Sequence, residues 1–343
     1  MSAGTRAEIE YRDGLRLKET VLWFDAPRAK PLTFVSHAQT PKAYLHQEIL
    51  TTENTATLLK AKSEVQGRGR RVHEPRALVT PYGRPFALGQ LTLTLIPAGH
   101  VLGSASILVQ QKKQRTLYAG TINPRPNKLV EALEVRPCDT LVLPLPHGAT
   151  RGTALPPAGG EREALVDFTR NTLDSGGIPV VFVSPLGEAQ ELVTLLAEAG
   201  LGVSLHRQIH ALTKVYAERA LSPLSLAGVR RFTGAAAEGG RALLWPLHLW
   251  RSASLNGLKN VSRALVSDLV IRAEVPKELQ CAKSFSFGHT ADYGALLDYV
   301  RAVEPAEVCL CGPNVSDLIE DLLALGIEAF QVGNQVQLPL FAG

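Results

Sequence analysis

Pro97-Ala-Gly-His-Val-Leu-Gly-Ser-Ala105 lies between two apolar runs that read as strands. Before it, Leu91-Thr-Leu-Thr-Leu-Ile96 alternates with period two, the pattern of a half-buried strand. After it, residues 106–111 and 116–119 flank a polar turn at 112–115, so a hairpin is expected there. Gly99 and Gly103 permit a tight turn with close backbone approach, and His100 sits at its apex. A histidine held by a rigid turn at a strand end is well placed to ligate a metal. The same histidine is equally at home as a locally hydrogen-bonded structural residue, and this stretch leaves both readings open.

Outward from this turn, Thr140-Leu-Val-Leu-Pro144 is a further apolar strand. Residues 153–161 are rich in Pro and Gly and mark a boundary. Beyond it a helix at 162–173, a buried strand at 178–184 and a helix at 188–199 closed by Gly200 give the alternation of parallel α/β construction. The last third adds strands near 242–248, 264–271 and 284–288, a helix at 292–303, a strand at 307–311 and a helix at 316–325. A strand-rich opening, an α/β middle and a mixed ending fit one α/β domain interrupted by an insertion. We place its first part at 1–150, the insertion at 151–260 and the completing part at 261–343.

With 343 residues, 45% of them hydrophobic and 20% charged, the chain can bury a large core. No run of about 18 apolar residues reads as a membrane span, and the first six residues lack the apolar segment of a signal peptide, so a cytoplasmic protein is expected. Cys138, Cys281, Cys309 and Cys311 show no CxxC spacing and read as buried free thiols. The net charge of +4 permits nucleic-acid binding without demanding it. Arg68, Arg70, Arg71 and Arg76 cluster in a loop-like segment, and Lys112, Lys113 and Arg115 in the hairpin turn. Each group reads either as a solvated loop or as a phosphate contact.

The stretch around His100 resembles the third metal-binding motif of the β-CASP branch of metallo-β-lactamases, the branch of DNA-repair and RNA-processing nucleases. Within it the chain most resembles the bacterial ligase-associated DNA exonucleases. Weaker motifs follow in the family's order. Phe24-Asp25 and Phe34-Val-Ser-His-Ala38 stand where the family has an early Asp and its His-x-His-x-Asp-His. Leu117-Tyr-Ala-Gly-Thr-Ile-Asn-Pro-Arg125 resembles the Gly-Asp strand end, and Cys138-Asp-Thr-Leu-Val-Leu143 the strand before Glu-Ser-Thr. Ser204-Leu-His206 with Leu212-Thr-Lys-Val-Tyr216 is similar to part of the inserted domain. Phe285-Ser-Phe-Gly-His-Thr-Ala-Asp-Tyr293 is similar to the late motif with a His and an Asp. The resemblance implies a metallo-β-lactamase αββα sandwich with an inserted α/β domain.

The same resemblance implies two zinc ions that acidify a bridging hydroxide, held by histidines and by a carboxylate shared between them. Against that pattern, His37 keeps the first His position, but Gln39 takes the second, Pro41 replaces the Asp and Lys42 the last His. Thr121 replaces the bridging Asp, Pro144 the acid of Glu-Ser-Thr, and Cys311-Gly312 stands where His-Gly is frequent. Ungapped alignment puts Thr290 at the late His position, and a one-residue shift puts His289 there. His37, His100, His289 and Asp25 are thus the vestiges, with His37 and His100 the remaining metal candidates. No metal cofactor is expected. The ammonium of Lys42 could hold a phosphate near the lost second metal, or record drift in an unused pocket.

The chain ends Gln337-Leu-Pro-Leu-Phe-Ala-Gly343. This tail resembles the pentapeptide by which bacterial repair proteins bind the sliding clamp, with Gln337, Leu338, Leu340 and Phe341 as contacts. The alternative is a closing edge strand over 330–340. The expectation is therefore a catalytically silent nuclease homologue that binds DNA or RNA in DNA repair or end processing, with Lys42, Arg68, Arg70 and Arg71 as contacts. Its possible partners are the clamp, a DNA ligase or an active nuclease homologue. The alternative is a residual exonuclease using one zinc or manganese ion.

Overall fold

A computed structural model describes residues 9–66, 74–156, 158–234, 239–271 and 274–333. Arg68, Arg70 and Arg71 and the tail contacts Gln337, Leu338, Leu340 and Phe341 lie outside the described residues. The chain is mixed α/β with three sheets and divides into two compact units.

The first unit opens with β1 (Ile9–Tyr11), β2 (Leu15–Leu17), β3 (Trp23–Phe24), β4 (Leu32–Phe34) and β5 (Glu48–Thr51). Helix α1 (Glu53–Gln66) and β6 (Arg76–Val79) follow, and the six strands form one sheet in chain order. Next come β7 (Phe86–Leu88), β8 (Leu91–Pro97), β9 (Ala105–Gln111), β10 (Gln114–Tyr118) and β11 (Thr140–Pro144). The expected hairpin is β9–β10, closed by Lys112 in the left-handed region.

The second unit holds α2 (Ala158–Asp174), β12 (Ile178–Val183), α3 (Glu188–Glu198), β13 (Val203–Leu205) and α4 (Arg207–Arg219). It continues through β14 (Val229–Arg231), β15 (Ala242–Pro246), β16 (Val261–Val266) and β17 (Lys283–Phe285). Its sheet, ordered β14-β13-β15-β12-β16-β17, is parallel throughout. The chain then returns to the first unit with α5 (Tyr293–Val303), β18 (Glu307–Cys311), α6 (Ser316–Ala324) and β19 (Glu328–Gln331). There β18 pairs with β11 and completes a seven-stranded sheet.

Core residues explain why the first unit stacks its layers. Phe24, Phe34 and Leu50 of the first sheet share one core with Leu93, Ile107, Val109 and Tyr118 of the second. The other face of the second sheet, through Leu117, Leu141 and Leu310, packs on Leu296 and Val300 of α5 and Leu318 of α6. Leu59 of α1 packs on Val35 and Ile49. Two sheets thus face each other with helices outside them, the arrangement two one-sided apolar surfaces require.

Because β16 pairs with β12 and β17 with β16, the second unit runs to His289. One expectation is corrected. Residues 268–271 form a 3-10 turn and not the end of a strand. Among the described residues, no helix is long and apolar enough to cross a membrane.

Leu243 is fully buried in the central part of the second unit's sheet. Leu243→Ala should cost about 2–5 kcal/mol, from lost burial plus a cavity. Denaturant unfolding followed by tryptophan fluorescence reads this through Trp245, in the same core; a loss under about 1 kcal/mol contradicts the packing.

Candidate functional site

The turn from Pro97 to Ala105 is clamped by its own polar groups. Ser104 Oγ accepts from the His100 and Val101 amides at 3.0 and 3.2 Å, and the Gly103 carbonyl accepts from the Thr52 and Thr55 hydroxyls. Gly99 has φ +76°, and a Cβ there would come 2.2 Å from the Asn123 carbonyl. This clamp fixes His100, which is 5% exposed.

The segment after β4 brings up the partners. His37 and His100 meet edge to face, ring centroids 5.0 Å apart. His100 Nε2 lies 2.8 Å from Gln39 Oε1, and His37 Nε2 lies 3.2 Å from Thr121 Oγ1. The Gln39 amide donates to His37 Nδ1 at 3.2 Å. An imidazole that accepts at Nδ1 carries its proton on Nε2, so His37 donates to Thr121. His100 likewise donates from Nε2 to the Gln39 carbonyl oxygen. Four of the residues singled out in the sequence are therefore brought together, and they satisfy one another.

Asp25 underlies this group. Its carboxylate accepts from the Ser36 amide (2.8 Å), the Ser36 hydroxyl (2.5 Å), the Thr40 hydroxyl (2.9 Å) and the Tyr118 hydroxyl (2.9 Å). Asp25 thus anchors the two ends of the segment that carries His37 and Gln39. Pro41 and Lys42 are exposed, and Lys42 adopts φ +60° at the start of a short 3-10 turn. Pro144 ends β11 opposite Cys311, whose buried sulfur lies 3.8 Å from that of Cys309. The Cys309 thiol beside it, together with burial, pushes the Cys311 thiol well above its usual range.

The dinuclear zinc centre that the resemblance implies needs several imidazoles and an anionic bridge. This group offers two imidazoles, a carboxamide and a hydroxyl, with both Nε2 atoms engaged as donors. Among the described residues, no group of three or more His, Cys, Asp or Glu side chains could hold a metal ion. The residues present do not fit that centre.

His289 lies in the second unit, in a cluster that sequence reasoning missed. Its Nε2 is 2.9 Å from Glu191 Oε2 on α3, and its backbone amide donates to Asp268 at 2.6 Å. Arg162 pairs with Glu191 and packs its guanidinium over the Phe287 ring. Burial opposes the His289 imidazolium, yet Glu191, backed by Glu188 and Asp268, holds it above the usual imidazole range. Burial also opposes the Glu191 carboxylate, but His289 and Arg162 outweigh it and hold it below its usual range. The available signal was positional: these acids follow the ends of β12 and β16, where parallel sheets collect polar groups.

Two predictions follow from these contacts. Gly99→Ala should destabilise the chain by more than about 1 kcal/mol, measured by denaturant unfolding; an unchanged midpoint contradicts the strained turn. The second concerns Glu188, whose carboxyl burial pushes up to about 7 from 4.5, with His289 opposing and Asp268 adding. The folded chain then holds this proton more tightly than the unfolded one. The stability this group contributes is fully present below pH 4.5 and lost as pH rises through 7. The loss is on the order of 3 kcal/mol. Glu188→Gln should flatten stability against pH across that window, and an identical slope in variant and wild type contradicts it.

No family model matches the chain. It is 28% identical over 340 residues to a probable DNA ligase of Opitutus terrae, which covers 97% of this chain and 32% of that protein. It is 30% identical over 119 residues to an endoribonuclease of Yarrowia lipolytica, covering 34% of this chain and 14% of that one. The chain therefore spans about a third or less of the length of these curated relatives. Among solved structures, a protein of unknown function from Enterococcus faecalis shares the fold, with TM-score 0.61 and 11% identity over 89% of this chain and 79% of that one. By sequence, then, the chain is similar to parts of proteins named a probable DNA ligase and an endoribonuclease.

Proposed function

We propose that the chain is a β-CASP-type metallo-β-lactamase-fold protein that binds nucleic acid at DNA ends without cleaving it. In this reading the first unit is the sandwich and the second is the insertion. The observation that carries it is the hydrogen-bonded quartet of His37, Gln39, His100 and Thr121. Gln39 and Thr121 are neutral, and each meets the imidazole nitrogen that a metal would need. Asp25 is occupied by four donors, so it supplies no third ligand without releasing Ser36, Thr40 or Tyr118.

The similarity to a probable DNA ligase supports a place beside strand joining. A sequence like this one occupies about a third of a polypeptide named for that activity, so a ligase is the partner class we favour. Nuclease-named similarity supports nucleic acid as the ligand. Recruitment to the sliding clamp through Gln337, Leu338, Leu340 and Phe341 is part of the same proposal. The exposed Lys42 is its phosphate contact nearest the quartet in sequence.

The test is to incubate the purified chain with zinc or manganese, remove free metal, and measure bound metal beside binding and cleavage of labelled DNA and RNA oligonucleotides. We expect far less than one metal ion per chain, intact oligonucleotides, and binding that Lys42→Glu weakens. Stoichiometric metal, together with cleavage abolished by His100→Ala, overturns the proposal.

A further inference from the structure

Three parallel strands of the second unit end side by side on residues that the proposed function leaves unused. Leu205 of β13 pairs with Arg231 of β14 and Leu244 of β15, so the positions just beyond are Phe232, His206 and Trp245. His206 packs its ring against Trp245 at 4.5 Å, and Phe232 meets Trp245 at 5.3 Å. His206 also caps α4, its Nδ1 accepting from the Gln208 amide. The carboxyl ends of parallel strands are where open α/β sheets bind their ligands.

From this corner a row of cations runs along α4. Arg207, His210 and Lys214 fall at i, i+3 and i+7, one face of a helix, while Ile209, Leu212 and Tyr216 are buried on the other. Arg231 acts electrostatically on His210 from the edge strand, and His248 acts on His206 from the loop after β15. Beyond His248, the Arg251 guanidinium lies 4.3 Å over the Trp250 ring. Arg207, Lys214, Arg231 and Arg251 are exposed, and none of them forms an ion pair among the described residues. Glu218, the acid one turn beyond Lys214, is exposed as well and forms no ion pair with it among the described residues. The histidines register the accumulated charge. Burial and then Arg207 and His248 hold His206 down to about 4, and burial with Lys214 and Arg231 lowers His210.

By contrast, Arg28 pairs with Asp13, Arg76 with Glu48, Arg151 with Asp321 and Arg301 with Asp298. Trp245 and His206 are buried, but a stripe of uncompensated cations with the half-buried rings of Phe232 and Trp250 near it fits a polyanion that also carries flat apolar groups. We infer that Arg207, Lys214 and Arg231, on α4 and the adjoining strand edge, form a binding surface for the phosphate backbone of a nucleic-acid strand. The identity of the polyanion rests on the function proposed above; the location of the surface does not. Arg207 and Lys214 stand ~10 Å apart along the helix axis, so the stripe can follow a strand and not merely hold one phosphate.

The experiment uses the full chain and a fluorescein-labelled single-stranded 30-mer, in DNA and RNA form, with anisotropy read across a salt series. For wild type we expect binding that weakens with salt. Arg207→Glu with Lys214→Glu should weaken it by about 10-fold or more near 0.1 M salt and make the log–log salt slope shallower by roughly 1.4, two contacts at about 0.7 each. Both side chains are exposed, so the unfolding midpoint should be unchanged. Arg207→Lys with Lys214→Arg should bind like wild type, and so should Arg170→Glu with Arg301→Glu as a control. Unaltered affinity and slope in the double charge reversal overturn this surface while leaving the proposed function standing. Absence of binding by wild type at low salt overturns both.

Discussion

The hydroxyl of Tyr118 and the carboxylate of Asp25 meet at 2.9 Å between the two facing sheets of the first unit. Tyr118 is buried on the second sheet, stacked on Phe24 and set edge to face against Phe34 of the first. A buried phenol needs a partner for its hydroxyl, and Asp25 supplies it while gathering Ser36 and Thr40. That one carboxylate therefore joins the sheets and sets the segment that carries His37 and Gln39. Losing it would strand four donors from three residues, so it stays useful whether or not a metal is ever bound nearby.

In the function proposed above, this frame would persist while the site it carries is rebuilt. The glycine turn still presents His100, and the Asp25 anchor still presents His37. The groups facing them are a carboxamide and a hydroxyl, each hydrogen-bonded to the Nε2 of one ring. A neutral acceptor satisfies an imidazole N–H as well as a structural role requires. Neither group carries the negative charge that would offset a divalent cation.

Much of the frame was legible because strong periodicity does not depend on tertiary context. The alternation of β8, the hairpin β9–β10, the apolar β12 and the helices α3, α5 and α6 all carry their patterns locally. Helix α1 was not legible: of its described residues only Thr55 and Leu58 are fully buried, so its sequence carries little apolar periodicity. The extent of the second unit was not legible for another reason. An apolar strand such as β16 looks alike in either sheet, and only its pairing with β12 assigns it. At the site, motif order located His37, Gln39, His100 and Thr121. Glu188, Glu191 and Asp268 carried no signal until the strand ends that bear them were folded together around His289.

The central claim is that His37 and His100 are hydrogen-bonded to Thr121 and Gln39 in place of a metal. Long-range proton–nitrogen NMR of the imidazole side chains tests it most directly, with His37→Gln and His100→Gln used to assign the signals. The account predicts both rings protonated on Nε2, with His37 unprotonated on Nδ1, and spectra that do not change when zinc is added. Loss of the Nε2 proton from both rings on zinc addition, with the shifts of nitrogen bound to metal, would contradict it.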